Sequence, residues 1–449
     1  MPRLLGAGSL ACLFVSQQAG AVLKTDYGLG YTGVYTNNIY RSESNQQQEG
    51  INMLTGLLSL NERSRRTEVK LDTEVQGRQY WRHSYGSGML YGLDGLAKAV
   101  VLPKRLTVSL RDVFTQAPVD PLMVLSPSNR QNVNTFSVGP NFFVYFDPID
   151  ILEFGARYEN DYYQAAPTGG HRYLGYVRLL HRISPSMDVS LNYEPSRVYY
   201  NNTTLNPDYI RQDAFVGFHF KPYETSFTLD AGHTRINRVG LPPLSGLLAV
   251  GRITTRATRK SSFELSARRE YGDAGRYALD VTPVTNAPTP LVTNPAELVS
   301  GGLYLGRYIN GRYIYHREYG TDRIHLFAWR LDYVSSPLSQ QLSGGTFNVG
   351  YDLSSAWTAS VFGGYVRTQY LSVARTDQDE IAGPGLRYRV TPNLDLDAES
   401  IWDRRISTAP GQGFQEWRAV FSVAYNTNPR ATETNPFLND QNMSYFISR

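Results

Sequence analysis

The residues in this chain best able to do chemistry are seven histidines, one cysteine and a scatter of acids. His83, His171, His181, His219, His233, His316 and His325 make no HxxxH or HExxH pair, and no cysteine lies near them to complete a zinc site. A hydrolase needs a nucleophile and a base within reach of each other. His83 beside Ser84, or His171 near a loop tip, are the positions such an enzyme would use. No nucleophile motif marks either, and histidines that simply meet water fit both places. Asp377, Asp379 and Glu380 read either as ligands of a divalent cation in a loop or as solvated loop acids. Gly28-Leu29-Gly30-Tyr31-Thr32-Gly33 spells GxGxxG, but the following VYTNNIYRS starts no helix to face a pyrophosphate. The expectation is a protein without catalytic residues, cofactor or metal.

Charge does recur, with a period of two. Val69, Leu71, Thr73 and Val75 alternate with Lys70, Asp72, Glu74 and Gln76, and the second set continues into Arg78 and Tyr80. Alternate side chains of a strand face opposite ways, so one face is apolar and the other charged. The same pattern places Arg157 and Glu159, Arg252 and Arg256, Glu264 and Arg268, and Asp395, Asp397 and Glu399 opposite apolar neighbours. With Lys70, Asp72, Glu74 and Arg78 they are the candidate lumen-lining residues of a barrel. Such charges either favour particular solutes or close into salt-bridged wall ladders without selectivity, and the sequence carries both readings.

Behind those rows must stand many strands. At 449 residues the chain exceeds one ordinary soluble core, yet no linker or compositional break divides it. Hydrophobic content of 41% with a mean hydropathy of −0.36 excludes a helical membrane protein but not a barrel with polar alternate positions. Tyrosine (32) outnumbers phenylalanine (19) and tryptophan (5), as suits rings at an oil–water boundary. A net charge of +4 leaves no basic face for nucleic acid. All but six of the 44 basic residues are arginine, which pairs well with carboxylates and phosphates.

The first 21 residues read as a signal peptide. Arg3 precedes the apolar run Leu4–Val15, and Ala19-Gly20-Ala21 gives a small-x-small cleavage pattern before Val22. Cys12 lies in that run, so the mature chain would carry no thiol; acylation of Cys12 is the minor alternative.

Tight turns punctuate the remainder at Asn61, Pro103, Pro148, Pro185, Pro222, Arg259, Ser354 and Pro392. Longer polar connections alternate with them, among them SESNQQQEG, Pro118–Asn134, Asn201–Asp208 and Asp273–Glu297. Short turns at one end and long loops at the other are the asymmetry of an outer-membrane barrel. One further turn must fall between Arg259 and Ser354. Asn310-Gly311 is the stronger local hairpin signal, but parity favours Glu318–Arg323. That choice gives a single antiparallel up-and-down all-β barrel of about 20 strands over residues 22–428, with 18 as the alternative. Residues 429–449 are either a polar tail or, through Ser444–Ile447, the terminal strand. Pro118–Asn134 and Asp273–Glu297 are long enough to fold inward and narrow a pore.

Pro127-Ser128-Asn129-Arg130-Gln131-Asn132-Val133-Asn134, leading into Phe136 and Gly139-Pro140, and the opening TDYGLGYTGVYTNNIYRS carry a resemblance. Both stretches resemble the Gram-negative outer-membrane β-barrel proteins associated with PEP-CTERM/exosortase systems and exopolysaccharide gene clusters. The resemblance implies a bacterial outer-membrane channel linked to export of extracellular polysaccharide, and it assigns no catalytic residue. Its expected partners are outer-membrane lipid and lipopolysaccharide, with polysaccharide and export machinery, and not nucleic acid. A plugged structural or surface-binding barrel is the alternative, and an outer-membrane hydrolase the third reading.

Overall fold

The structure, a computed structural model, describes residues 22–120, 122–123, 126–165, 168–273 and 302–427. The expected signal peptide, the 429–449 tail and most of the Asp273–Glu297 loop lie outside the described residues.

Twenty strands follow one another in chain order. They begin with β1 (Val22–Thr36), β2 (Glu49–Arg63), β3 (Thr67–Tyr80), β4 (Gly88–Leu102), β5 (Leu106–Ala117), β6 (Gln131–Tyr145) and β7 (Asp150–Tyr163). Next come β8 (Gly170–Ser184), β9 (Met187–Tyr200), β10 (Tyr209–Phe220), β11 (Thr225–Arg238), β12 (Leu244–Thr258), β13 (Ser261–Gly272) and β14 (Tyr304–Arg317). The ring continues with β15 (Gly320–Tyr333), β16 (Gln340–Asp352), β17 (Trp357–Tyr370), β18 (Arg375–Thr391), β19 (Leu394–Ser407) and β20 (Phe414–Asn426). Each pairs antiparallel with its neighbours, and β1 pairs with β20, so the sheet closes on itself. That seam is short. β20 meets β1 only from Gly28 to Thr36, whereas β2 accompanies β1 from Val22 to Thr36.

The expected count of 20 and the turn at Glu318 are both present: Arg317 and Gly320 bracket it, and Asn310-Gly311 runs through the middle of β14. Gly320 has φ +141°, and a Cβ there would lie 2.0 Å from the Gly350 carbonyl oxygen, so this turn needs glycine. One expected turn is displaced. Asn61 lies within β2, and the chain reverses at Ser64–Arg66, where the Ser64 hydroxyl accepts hydrogen bonds from the Arg66 and Thr67 amides at 3.1 and 2.9 Å. Ser354 caps its turn in the same way, receiving the Ala356 and Trp357 amides at 3.2 and 3.1 Å. At Asp147 the Ile149 and Asp150 amides, 2.8 and 2.7 Å from one carboxylate oxygen, hold the carboxyl below its usual range. Because the folded-state pKa is the lower one, this stabilisation is complete above the ordinary value of about 4 and lost as the pH falls through the folded value.

Two surfaces result. On β1 the side chains of Leu23, Tyr27, Leu29, Tyr31 and Tyr35 are all exposed and share the outer face. Across the ladder stand Leu54 and Leu58 on β2, then Thr73 and Val75 on β3. Exposed apolar residues recur on alternate positions of the other strands, among them Leu191 and Tyr193, Leu326 and Ile324, and Phe421 and Tyr425. Aromatic rings pair across strands on the same face, as in Phe142–Phe154 at 5.1 Å and Trp357–Tyr388 at 4.5 Å between centroids. Water would penalise so much exposed apolar surface, whereas hydrocarbon accepts it and also requires a sheet without open edges. The chain is therefore an outer-membrane β-barrel, with its short turns of two to four residues at the periplasmic end.

The assignment of faces makes a direct prediction. Val75→Arg puts a guanidinium among lipid chains and should cost ~2–4 kcal/mol near the midplane. Asp72→Arg puts one on the inner face opposite Asp94 and should leave assembly intact. The yield of folded barrel in outer-membrane fractions checks both, and equal damage from the two would contradict the faces.

Candidate functional site at the barrel interior

The thirteen charged residues singled out in the sequence all belong to the inner phase of their strands, but they do not converge. Lys70, Asp72, Glu74 and Arg78 follow one another along β3, where Lys70 lies 3.5 Å from Glu68 and the Arg78 Nε donates to Gln76. On β7, Arg157 donates to the Pro140 carbonyl at 3.1 Å and lies over the Tyr176 ring, while Glu159 faces Arg172 at 3.5 Å. Arg252 reaches Glu264 across β12–β13 at 3.3 Å, and Arg268 reaches Glu270 at 2.9 Å. Asp395 and Asp397 on β19 answer Arg389 and Arg387 on β18 at 3.6 and 2.7 Å, with Glu399 next in the row. Arg256 stands at the periplasmic rim, its side chain 63% exposed and 3.8 Å from the equally exposed Glu224.

Charges do converge nearer the extracellular end, in two clusters on nearly opposite sides of the ring. The first spans β18 to β20. Arg405 grips Asp379 through Nε and Nη2 at 2.8 and 3.0 Å, and its Nη1 lies 3.7 Å from Asp377. Asp377 is also held by Arg375 at 2.6 Å and by the Ser407 hydroxyl at 2.6 Å. One strand on, Arg418 lies 3.3 Å from Asp403 and 3.7 Å from Glu416. Into this row the β1–β2 loop inserts Arg41, 2.9 Å from Glu416 and 3.6 Å from Asp403. Arg41 and Arg405 both stack on the Phe414 ring. Asp377 and Asp403 are completely buried, so their charges depend on these arginines.

The second cluster runs from β7 to the end of β13. Arg172 donates to both carboxylate oxygens of Asp273 at 2.5 Å, and the Tyr209 hydroxyl also donates to Asp273. Arg211 holds Asp213 at 2.8 Å, lies 3.9 Å from Glu270 and donates to the Tyr271 carbonyl. Asp273 follows β13 in the chain but touches β8 and β10, so the chain turns inward as it leaves β13.

A third inward connection crosses the interior. Residues 118–130 join β5 to β6, and the Leu122 carbonyl accepts a hydrogen bond from Arg375 on β18. The loop is clamped at its base by Asn129, whose side-chain oxygen receives the Val119 and Asp120 amides at 3.1 and 2.8 Å. The Asn129 amide in turn donates to the Asp120 carbonyl at 2.8 Å, and Gln131 donates to the Pro118 carbonyl at 3.1 Å. The Pro127–Asn134 stretch thus closes a loop and starts β6.

The other chemical candidates resolve into structure. Asp377 and Asp379 are strand residues paired with arginine rather than loop ligands, and Glu380 faces outward opposite Arg404. Among the described residues no three histidines or acids are grouped to hold a metal. His83 is 3.0 Å from the Tyr80 carbonyl, while the Ser84 amide donates to Glu49. His171 stacks on Tyr199 at 5.1 Å on the outer face. Gly28–Gly33 lies within β1.

No protein-family model and no curated protein matches the chain. Among solved structures, it is similar to Pseudomonas aeruginosa OccK1 (OpdK) at 11% identity, over 90% of this chain and 99% of that one, with a TM-score of 0.38. A mutant of the P. aeruginosa ferric enterobactin receptor PfeA, in complex with enterobactin, shows 10% identity over 92% and 82% of the two chains, at 0.46. The FrpB iron transporter of Neisseria meningitidis gives 7% over 89% and 81%, at 0.43.

The first cluster makes a stability prediction. Arg405→Ala leaves the buried Asp379 carboxylate without the arginine that grips it and should cost ~3–5 kcal/mol. Arg256→Ala, at the exposed rim, should cost at most ~1 kcal/mol. The temperature at which the purified barrel loses its compact form on detergent gels distinguishes them.

Proposed function

We propose that this barrel is a constricted channel for polar solutes, serving the export of extracellular polysaccharide. A ring of twenty strands is wide enough for an aqueous lumen unless something enters it. The observation that carries the reading is the hydrogen bond between Leu122, in the β5–β6 connection, and Arg375 on β18. Such a bridge narrows the passage at the level of the first charged cluster, so a solute would pass beside Arg375, Arg405 and Arg41 with their acids. Mixed charge held in pairs on the wall favours hydrated polar molecules over ions of one sign. The export role rests on the resemblance of Pro127–Asn134 and the first strand.

The same bridge is what a plugged, surface-binding barrel would also contain, and conductance separates the two. Purified protein in planar bilayers should give small steps, and removal of residues 120–128 should enlarge them several-fold. Arg375→Ala, which frees the Leu122 carbonyl, should raise the frequency of large openings without changing the largest step. Silence from both the parent and the deletion would leave the plugged barrel. In cells, loss of the gene should lower secreted polymer while intracellular synthesis continues; unchanged secretion would remove the export role and leave the channel.

A further inference from the structure

The outer face, largely apolar along the middle of its strands, carries one row of like charge on three adjacent strands. Arg269 on β13 is directly opposite Arg307 on β14, and Arg307 is directly opposite Arg330 on β15. Like charges facing each other across a ladder destabilise it. Each is three residues from the extracellular end of its strand, at Gly272, Tyr304 and Tyr333. Arg269 stands eight residues above the first residue of β13, Ser261, which at ordinary strand rise and tilt is ~20 Å, close to the height of the apolar band. The row therefore lies where hydrocarbon gives way to headgroups.

Partial compensation is present. Asp332, also on the outer face, lies 2.5 Å from Arg307 and 2.9 Å from Arg330. Arg269 donates to the Leu247 carbonyl. Among the described residues three guanidiniums against one carboxylate leave an excess of positive charge, and Arg307 and Arg330 keep nearly half their side-chain surface open. Toward the midplane from the arginines is a shallow cavity of about 500 Å³. Gly251, Ala267 and Ala328 form its floor, while Leu229 and Ile309 rise from it. Charge at the headgroup level with an apolar hollow beneath it is complementary to an amphiphile with an anionic head.

We propose that Arg269, Arg307 and Arg330 with the cavity below them form a binding site for the phosphorylated, acylated glycolipid of the outer leaflet. The guanidiniums grip a phosphate, for which arginine supplies paired donors, and one acyl chain lies over Gly251, Ala267 and Ala328. The phosphate relieves the repulsion along the row. This site is on the lipid side of the wall and does not depend on whether the lumen conducts.

The test is native mass spectrometry of the purified, folded barrel in detergent, titrated with lipid A, dephosphorylated lipid A or phosphatidylglycerol. The parent should retain one lipid A at least tenfold more tightly than either other lipid. Combined Arg269→Gln, Arg307→Gln and Arg330→Gln should abolish that preference, while Arg235→Gln, on the outer face of β11, should leave it. Ala267→Phe, which fills the cavity and keeps the charges, should weaken lipid A several-fold, and heat-modifiability on gels verifies that each variant is folded. Equal retention of lipid A by the parent and the triple variant would overturn the site. Equal binding of phosphatidylglycerol and lipid A would overturn the glycolipid as its occupant.

Discussion

Closure of the hydrogen-bond ladder is the constraint from which the rest follows. In hydrocarbon no solvent exists to satisfy a strand's outer N–H and C=O groups, so the twentieth strand must return to the first. Closure fixes two surfaces of opposite chemistry, and it forbids an edge where either surface could be relaxed. The outer surface is made apolar by taking one phase of every strand. The inner phase inherits the charges, and more charges than water alone would need.

Those inner charges are mostly balanced where they stand. Arg405 between Asp379 and Asp377, Arg211 beside Asp213, and Arg387 against Asp397 are each paired within a strand or across one ladder step. Isolated buried charges would be costly, and exchanging one pair for apolar side chains can be neutral, so pairing alone is weak support for stability. Its clearer effect here is positional. Arg41, Asp273 and the Leu122 carbonyl come from connections, not strands, and each meets a wall residue of opposite polarity. The wall charges thus hold Arg41, Asp273 and Leu122 against the interior.

How much of this could be read from the chain depends on range. Strand number and phase were legible because alternation is local: Val69–Tyr80 reads correctly by itself, and parity alone moved a turn from Asn310-Gly311 to Glu318. The Asn61 turn was misplaced because β2 continues through Asn61-Glu62-Arg63, polar residues that a strand tolerates at the water boundary. Asp377 and Asp379 read as loop acids because nothing in the sequence records that Arg405 stands opposite Asp379. Register between strands, and contact between residues hundreds of positions apart such as Leu122 and Arg375, have no local signature. The only available hint was the i, i+2 repetition in Arg375-Thr376-Asp377-Gln378-Asp379, which a strand turns into one charged line. The row of outer arginines is hidden for the same reason, since its members come from three separate strands.

The short pairing of β1 with β20 has a consequence for how the molecule is assembled and dismantled. Among the described residues the ladder from β20 reaches β1 at Gly28 and is continued by Thr427 against the Tyr27 backbone, whereas β2 follows β1 down to Val22. At the lower end of the seam the Asn426 side chain packs against the bare backbone of Gly28, where a Cβ would lie 2.2 Å from its amide oxygen. Chain order also makes this joint special. Every other ladder joins strands adjacent in sequence and can form as a hairpin, but this one joins the two ends of the chain and carries the largest loop-closure entropy. It is the last ladder to zip and the first to unzip. A nascent ring would remain an open ribbon, with an unpaired edge on each end strand, until Gly28–Thr36 found Arg418–Asn426.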